Sequence, residues 1–123
     1  MFAYMIADSN LEPYMLQDVN EMESSLPAEG LDVIVLLDRA QGYTDDDGNW
    51  TGARLLRLRP DANAEALAGE VLADLGEING GDPQVLAGFA LAAFQAFPAP
   101  RRLLQLSDHG GAWSGSAFDD EAP

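Results

Sequence analysis

Residues 32–38, Asp-Val-Ile-Val-Leu-Leu-Asp, set five consecutive apolar side chains between two acids. A run this uniformly apolar and rich in β-branched residues has no face left for water, so it predicts a strand buried on both sides, the kind found inside parallel sheets. Phe2-Ala3-Tyr4-Met5-Ile6-Ala7 is a second such run and ends in Asp8-Ser9-Asn10. Between the two, Leu11, Met15, Val19, Met22 and Leu26 recur at helical spacing, with Glu12, Asp18, Glu21 and Glu23 largely on other faces. The spacing predicts an amphipathic helix over 11–25, with Pro13 in the first turn, where its missing N–H is not needed. Strand, helix and strand make a βαβ unit, and hence an α/β fold.

The rest of the chain extends the pattern. Residues 41–49 read as a polar turn, and Thr51 to Arg59 alternates Ala53, Leu55, Leu56 and Leu58 with three arginines, predicting an edge strand. Leu67, Val71, Leu72 and Leu75 give residues 63–77 a helical pattern. Asp82-Pro83 opens the next helix as N-cap and first helical residue, with Leu86, Phe89, Ala90, Ala93 and Phe97 on its core face. Pro98-Ala99-Pro100 stops that helix, and a strand over 103–106 runs into Ser107-Asp108-His109-Gly110-Gly111. The expected order is β-α-β-β-α-α-β. At 123 residues the chain makes one domain, 1–123, with an acidic tail expected to be flexible from about 114.

Charge narrows the function. Twenty-one acids oppose six basic residues, for a net charge of -15, and the basic ones (Arg39, Arg54, Arg57, Arg59, Arg101, Arg102) are scattered. Nucleic acid is therefore excluded as a partner, since phosphate binding requires clustered cations. There is no lysine, which fits either the coding bias of a GC-rich genome or a negative field that gathers cationic substrates. The absence of cysteine excludes disulfides, zinc–thiolate sites and a thiol nucleophile within this chain. The longest apolar stretch, within 85–97, is broken by Gly88 and Gln95 and falls short of the ~20 residues of a membrane span. No signal peptide is recognisable at the start, so either the chain is a fragment or its export signal lies elsewhere.

His109 is the sole imidazole. It follows an apolar strand and precedes two glycines, and functional groups of open α/β sheets gather at the carboxyl ends of strands. From position alone it reads either as an acid–base group or as an ordinary loop histidine. Asp8 and Asp38 end predicted strands as His109 does. Their convergence on one rim fits general acid–base work, or helix capping and loop hydrogen bonding, and the latter is the simpler reading.

Five ordered blocks add a resemblance. Met5 to Glu12 with Gln17 to Glu23, then Val35 to Arg39, Trp50 to Arg54, Glu77 to Leu86, and Asp108 to Trp113 resemble successive blocks of the clostripain family of cysteine peptidases, in the caspase-like clan. The resemblance implies a caspase-like three-layer α/β/α sandwich with a mostly parallel sheet, incomplete in this chain. It implies that His109 is the catalytic histidine and that the Gly110 N–H serves an oxyanion hole; Asp8, Asp108 and Gly111 on the same rim are the candidate substrate-binding residues. An imidazolium beside a thiol stabilises the thiolate and then protonates the leaving amine. The family cysteine ends the next core strand, beyond this chain. The expected partners are accordingly a cysteine-bearing C-terminal segment or heavy chain, and peptide or protein substrates cut after basic residues, arginine first. Export or a place at the cell envelope is implied in the same way. Ala112 stands where the family usually has a third glycine, and Ser107 where it has Trp, which bears on the substrate loop rather than on the histidine.

The resemblance also implies Ca²⁺ as a cofactor. Asp45-Asp46-Asp47-Gly48-Asn49 is not an EF-hand, because aligning Gly48 with the loop glycine puts Tyr43 at the first ligand position and Arg54 at the twelfth. An Asp-Gly turn between two strands is expected there instead, and no metal-ligating set is assigned. A rival reading is a non-catalytic caspase-like interaction module. A weaker one is a metal hydrolase using Asp8, Asp38 and His109.

Overall fold

A computed structural model describes residues 1–111 and 115–123. The chain folds as β1 (Phe2–Ala7), α1 (Glu12–Ser25), β2 (Ile34–Arg39), β3 (Gly52–Arg57), β4 (Glu70–Gly76), α2 (Pro83–Ala96) and β5 (Leu104–Ser107). The strands form one sheet in the order β4-β3-β2-β1-β5. β1 lies parallel to both β2 and β5, whereas β3 is antiparallel to β2 and to β4, so four of the five strands point the same way. The two uniformly apolar runs occupy the middle of the sheet, and every residue of β1 and β2 is buried.

Alternation along the strands divides the core in two. Ala3, Met5, Val35 and Leu37 face α1 and pack on Met15, Leu16 and Val19. Phe2, Tyr4, Ile6, Ile34 and Leu36 face α2 and pack with Phe89 and Ala93. The result is the expected three-layer α/β/α arrangement. α2 begins as the sequence implies, with the Asp82 carboxylate accepting the Gln84 N–H at 2.8 Å and Pro83 in the first turn. α1 has no side-chain cap. Ser9 holds that corner, its carbonyl accepting the Glu12 N–H and its hydroxyl the Leu11 N–H.

Between β2 and β3 the acidic run forms a short 3-10 turn, Asp46–Gly48, with Asp47 and Asn49 in the left-handed region. It is a turn joining two antiparallel strands, as expected.

Two expectations are corrected. Residues 63–77 are not helical; β4 occupies Glu70–Gly76. The apolar spacing fits a helix, but the segment has no core left to bury such a stripe, and Val71, Leu72 and Leu75 remain exposed. Extended pairing with β3 instead satisfies its backbone and aligns opposite charges, Arg54 with Asp74 at 3.0 Å and Arg59 with Glu70 at 2.6 Å. The 51–59 strand is consequently not an edge, because β4 covers it. The sheet edges are β4 and β5.

Candidate active-site rim

Because β1, β2, β4 and β5 run in one direction, their carboxyl ends meet at a single rim. Asp8 follows β1, Asp38 lies within the end of β2, Glu77 follows β4, and Asp108 and His109 follow β5. A sequence-predicted convergence of Asp8 and Asp38 is thereby met, and the structure adds Glu77.

His109 is exposed, and its Nε2 lies 2.6 Å from Asn10 Oδ1. An amide oxygen only accepts, so this contact requires a hydrogen on Nε2 and leaves Nδ1 as the nitrogen free to take a proton. Asn10 sits in the β1–α1 corner, so the first strand's loop orients the imidazole presented by the last strand. Gly110 adopts a left-handed φ of 68° that a side chain would disfavour. The Gly111 N–H donates to the Gly115 carbonyl at 2.6 Å. Ala112 and Trp113, which belong to the last family block, lie outside the described residues.

Beside this loop, on the α2 side, opens a cavity of about 420 Å³. Tyr4, Leu86 and Leu106 supply apolar lining, and Asp108 and Gly110 border it. Of the residues expected to bind substrate, Asp108 therefore faces the cavity. Asp8 does not face solvent at all.

Asp8 is covered by the tail. The segment expected to be flexible is described from Gly115 onward and is tied to the rim by a series of hydrogen bonds. Phe118 N–H donates to Asp108 Oδ2 (2.5 Å), Asp120 N–H to the Asp8 carbonyl (3.1 Å) and Glu121 N–H to Asp8 Oδ2 (2.8 Å). In return Asp119 Oδ2 accepts the Gly80 N–H at 2.6 Å. A side chain at Gly80 would force Ile6 to shift, since a Cβ would stand 2.6 Å from Ile6 Cδ1, and the Gly80 carbonyl accepts the Tyr4 hydroxyl at 2.9 Å.

Crowding of acids is severe here. Burial pushes the Asp8 carboxyl up to about 7, with Asp119 adding to the rise. Burial pushes Asp38 up to about 8, helped by the negative charges of Asp119, Glu77, Asp8 and Glu121. Glu77 is raised for the same reasons, burial first. One oxygen each from Asp8, Glu77 and Asp119 lies within 4.8 Å of the others. Asp38 is fully buried, and neither of its carboxylate oxygens has a hydrogen-bond partner among the described residues.

Sequence reasoning missed Asn10, Glu77 and Asp119. Glu77 was hidden by the helical reading of 63–77, which placed it at a helix end rather than a strand end. Nothing local in the sequence marks the fold-back that brings Asp119 to the rim.

Comparison with known proteins agrees with the resemblance. The family model described as the clostripain family matches residues 3–121. Clostripain from Hathewaya histolytica is 29% identical over 119 residues, which cover 88% of this chain and 22% of that protein, so the chain spans about a fifth of this relative. A B. fragilis cysteine protease chain superposes with a TM-score of 0.71 at 23% identity, covering 99% of this chain and 93% of its own. A secreted C11 cysteine protease from Bacteroides thetaiotaomicron, solved with an irreversible peptide inhibitor, gives 0.69 at 24% identity, over 91% of this chain and 29% of its own. Ordered motifs, a mostly parallel three-layer fold and a family match across nearly the whole chain lead to one conclusion: the chain belongs to the clostripain family of cysteine peptidases.

Proposed function

We propose that the chain supplies the histidine-bearing part of a cysteine endopeptidase that cleaves after basic residues, arginine foremost. The thiol comes from a cysteine-bearing segment that adds a strand alongside β5. The observation that carries this reading is the position of His109, at the carboxyl end of an edge strand whose outer side has no neighbour among the described residues. Leu104 and Leu106 of that strand are exposed on the α2 face, beside the buried Phe2 and Tyr4, as expected of a sheet and core that continue further.

In this mechanism the thiol proton passes to His109 Nδ1, while Asn10 holds the ring through Nε2. The thiolate attacks the peptide carbonyl carbon, and the imidazolium then protonates the departing amine. The Gly110 N–H stabilises the oxyanion. Asp108, Gly111 and the cavity bind substrate, and the net charge of -15 favours cationic peptides. Export, as described for the B. thetaiotaomicron protease, and a calcium requirement belong to the same reading. The Asp45–Asn49 run has no EF-hand ligand pattern, whereas the rim carboxylates offer oxygen donors of the kind calcium takes.

The test is reconstitution. The chain is co-expressed with the cysteine-bearing segment and assayed with a fluorogenic arginyl amide. Thiol-dependent turnover is expected, falling at least about 100-fold in His109→Ala, with none from the chain alone. Turnover by the chain alone that His109→Ala abolishes would overturn the two-part peptidase in favour of a histidine–carboxylate hydrolase. A folded chain that ignores the segment would instead favour the interaction module.

A further inference from the structure

We infer that the groove between α1 and the loops that follow β2 and β3 binds an extended cationic segment of a peptide chain through its lysine or arginine side chains. Binding is a property of this chain's own residues. Only the use of the groove as a second substrate contact, apart from the His109 cavity, rests on the peptidase reading.

The groove has a volume of about 630 Å³ and lies on the α1 side of the sheet, away from that cavity. Pro13, Leu16 and Ala64 give it apolar surface, and four carboxylates line it: Glu21 from α1, Asp46 and Asp47 from the β2–β3 connection, and Glu65 from the β3–β4 connection. Among the described residues no basic side chain lines it, and the four ion pairs use other acids, Glu12, Asp32, Asp74 and Glu70. The wall is already in place. The Leu67 N–H donates to Asp47 Oδ1 at 2.6 Å and the Ala68 N–H to Glu23 Oε2 at 2.9 Å, which ties the β3–β4 loop to the turn and to α1.

Asn20 supplies an observation independent of the acids. It lines the groove yet is only 6% exposed, and its Nδ2 donates to the Leu16 carbonyl at 3.0 Å. A carbonyl only accepts, so this bond fixes the amide and leaves Oδ1 as the end presented to the groove. That oxygen is buried without a donor among the described residues, and so is Asp47 Oδ2. Buried acceptors are ordinarily paired. A groove furnished with acceptors and negative charge alone is completed by a ligand that carries N–H donors and positive charge.

Spacing decides the kind of cation. Among the described residues only Asp8, Glu77 and Asp119 bring three ligating oxygens within 4.8 Å, so the acids of the groove are too far apart to share one small ion. Their separation suits several charges carried on a chain, with the apolar surface taking the methylene stems of lysine or arginine. The lining of α1 runs from Pro13 to Ser24. At about 1.5 Å per residue this makes a track of about 16 Å, the span of about five residues of extended peptide. Pro13 stands just beyond Asn10, which holds His109, so the track begins near the catalytic rim. The net charge of -15 draws polycations towards it.

The test is equilibrium binding of a fluorescein-labelled hexa-arginine amide to the chain alone, followed by anisotropy, so that peptidase activity is not needed as a readout. Saturable binding at one site is expected. Glu21→Gln with Glu65→Gln should weaken it at least about tenfold more than Glu29→Gln with Asp120→Asn, which removes the same charge from exposed positions outside the groove. Asn20→Leu, which keeps the net charge and deletes the unpartnered acceptor, should weaken binding at least about fivefold. Asp47→Asn keeps Oδ1 for the Leu67 N–H and suits the left-handed backbone there, and it should weaken binding to a similar degree, so a fold lost in Asn20→Leu is not mistaken for lost binding. Equal weakening by the two charge-matched pairs, binding unchanged in both Asn20→Leu and Asp47→Asn, or no saturable binding would overturn the site. Spermine binding more tightly than the peptide, with the same dependence on Asn20 and Asp47, would overturn the peptide assignment in favour of a free polyamine.

Discussion

Arg39 and Glu12 are both fully buried, joined by one bond from Nε to Oε1 at 2.7 Å. Glu12 Oε2 accepts the Thr44 N–H, the guanidinium lies 4.8 Å from the Trp50 ring centroid, and its two terminal nitrogens have no hydrogen-bond partner among the described residues. Such a pair contributes little net stability over an apolar replacement, but breaking it strands a charge. Glu12→Ala is accordingly expected to destabilise by about 3–5 kcal/mol, and Glu12→Leu with Arg39→Met by much less, as read from urea midpoints. Glu23 presents a different case. Its Oε2 accepts the Ala68 N–H, and burial raises its pKa, so the folded chain retains this proton at a pH where the unfolded chain has released it. That contribution is complete below the unfolded value of about 4.3 and is lost as pH rises through the folded value. As pH rises above about 4, the Tm of Glu23→Gln should therefore decline less than that of wild type.

At the scale of elements, the sheet centre was legible because β1 and β2 are apolar on both faces, and α2 because Asp82-Pro83 marks its start. β4 was not. Its apolar spacing suits a helix, and what decides for a strand is non-local, namely the open flank of β3 and the cross-strand partners of Arg54 and Arg57. The candidate site was half legible for the same reason. His109 and Asp8 end strands visible in the sequence, whereas Glu77 depends on β4 and Asp119 on a tail that returns across the rim. The Gly80 turn joins these parts, bonded to Tyr4 on one side and Asp119 on the other. Gly80→Ala would drive a methyl into Ile6 and is expected to cost about 1–3 kcal/mol while speeding proteolysis of residues 115–123. An unchanged melt and cleavage pattern would show that the turn yields without consequence.

For the whole molecule, two exposed strand edges flank a fully buried centre. β4 carries Glu70 and Asp74 among the exposed Val71, Leu72 and Leu75, whereas β5 carries no charge beside its exposed Leu104 and Leu106. Charged edges resist pairing with other chains and apolar ones invite it. The isolated chain is therefore expected to self-associate in size-exclusion chromatography, and Leu106→Lys to shift it toward monomer with little loss of secondary structure. A sharply melting wild-type monomer would mean that the β5 edge needs no neighbour.

The middle position of β1 also governs the order in which the fold can be assembled. Residues 2–7 are made before both of their neighbours, gain β2 after some thirty further residues, and gain β5 only once residue 107 has been made. A central strand completed by its most distant neighbour gives a high contact order and slow closure, with an apolar flank waiting open throughout synthesis. Yield in a heterologous host should thus depend more on chaperone supply and growth temperature than on the stability of the finished protein.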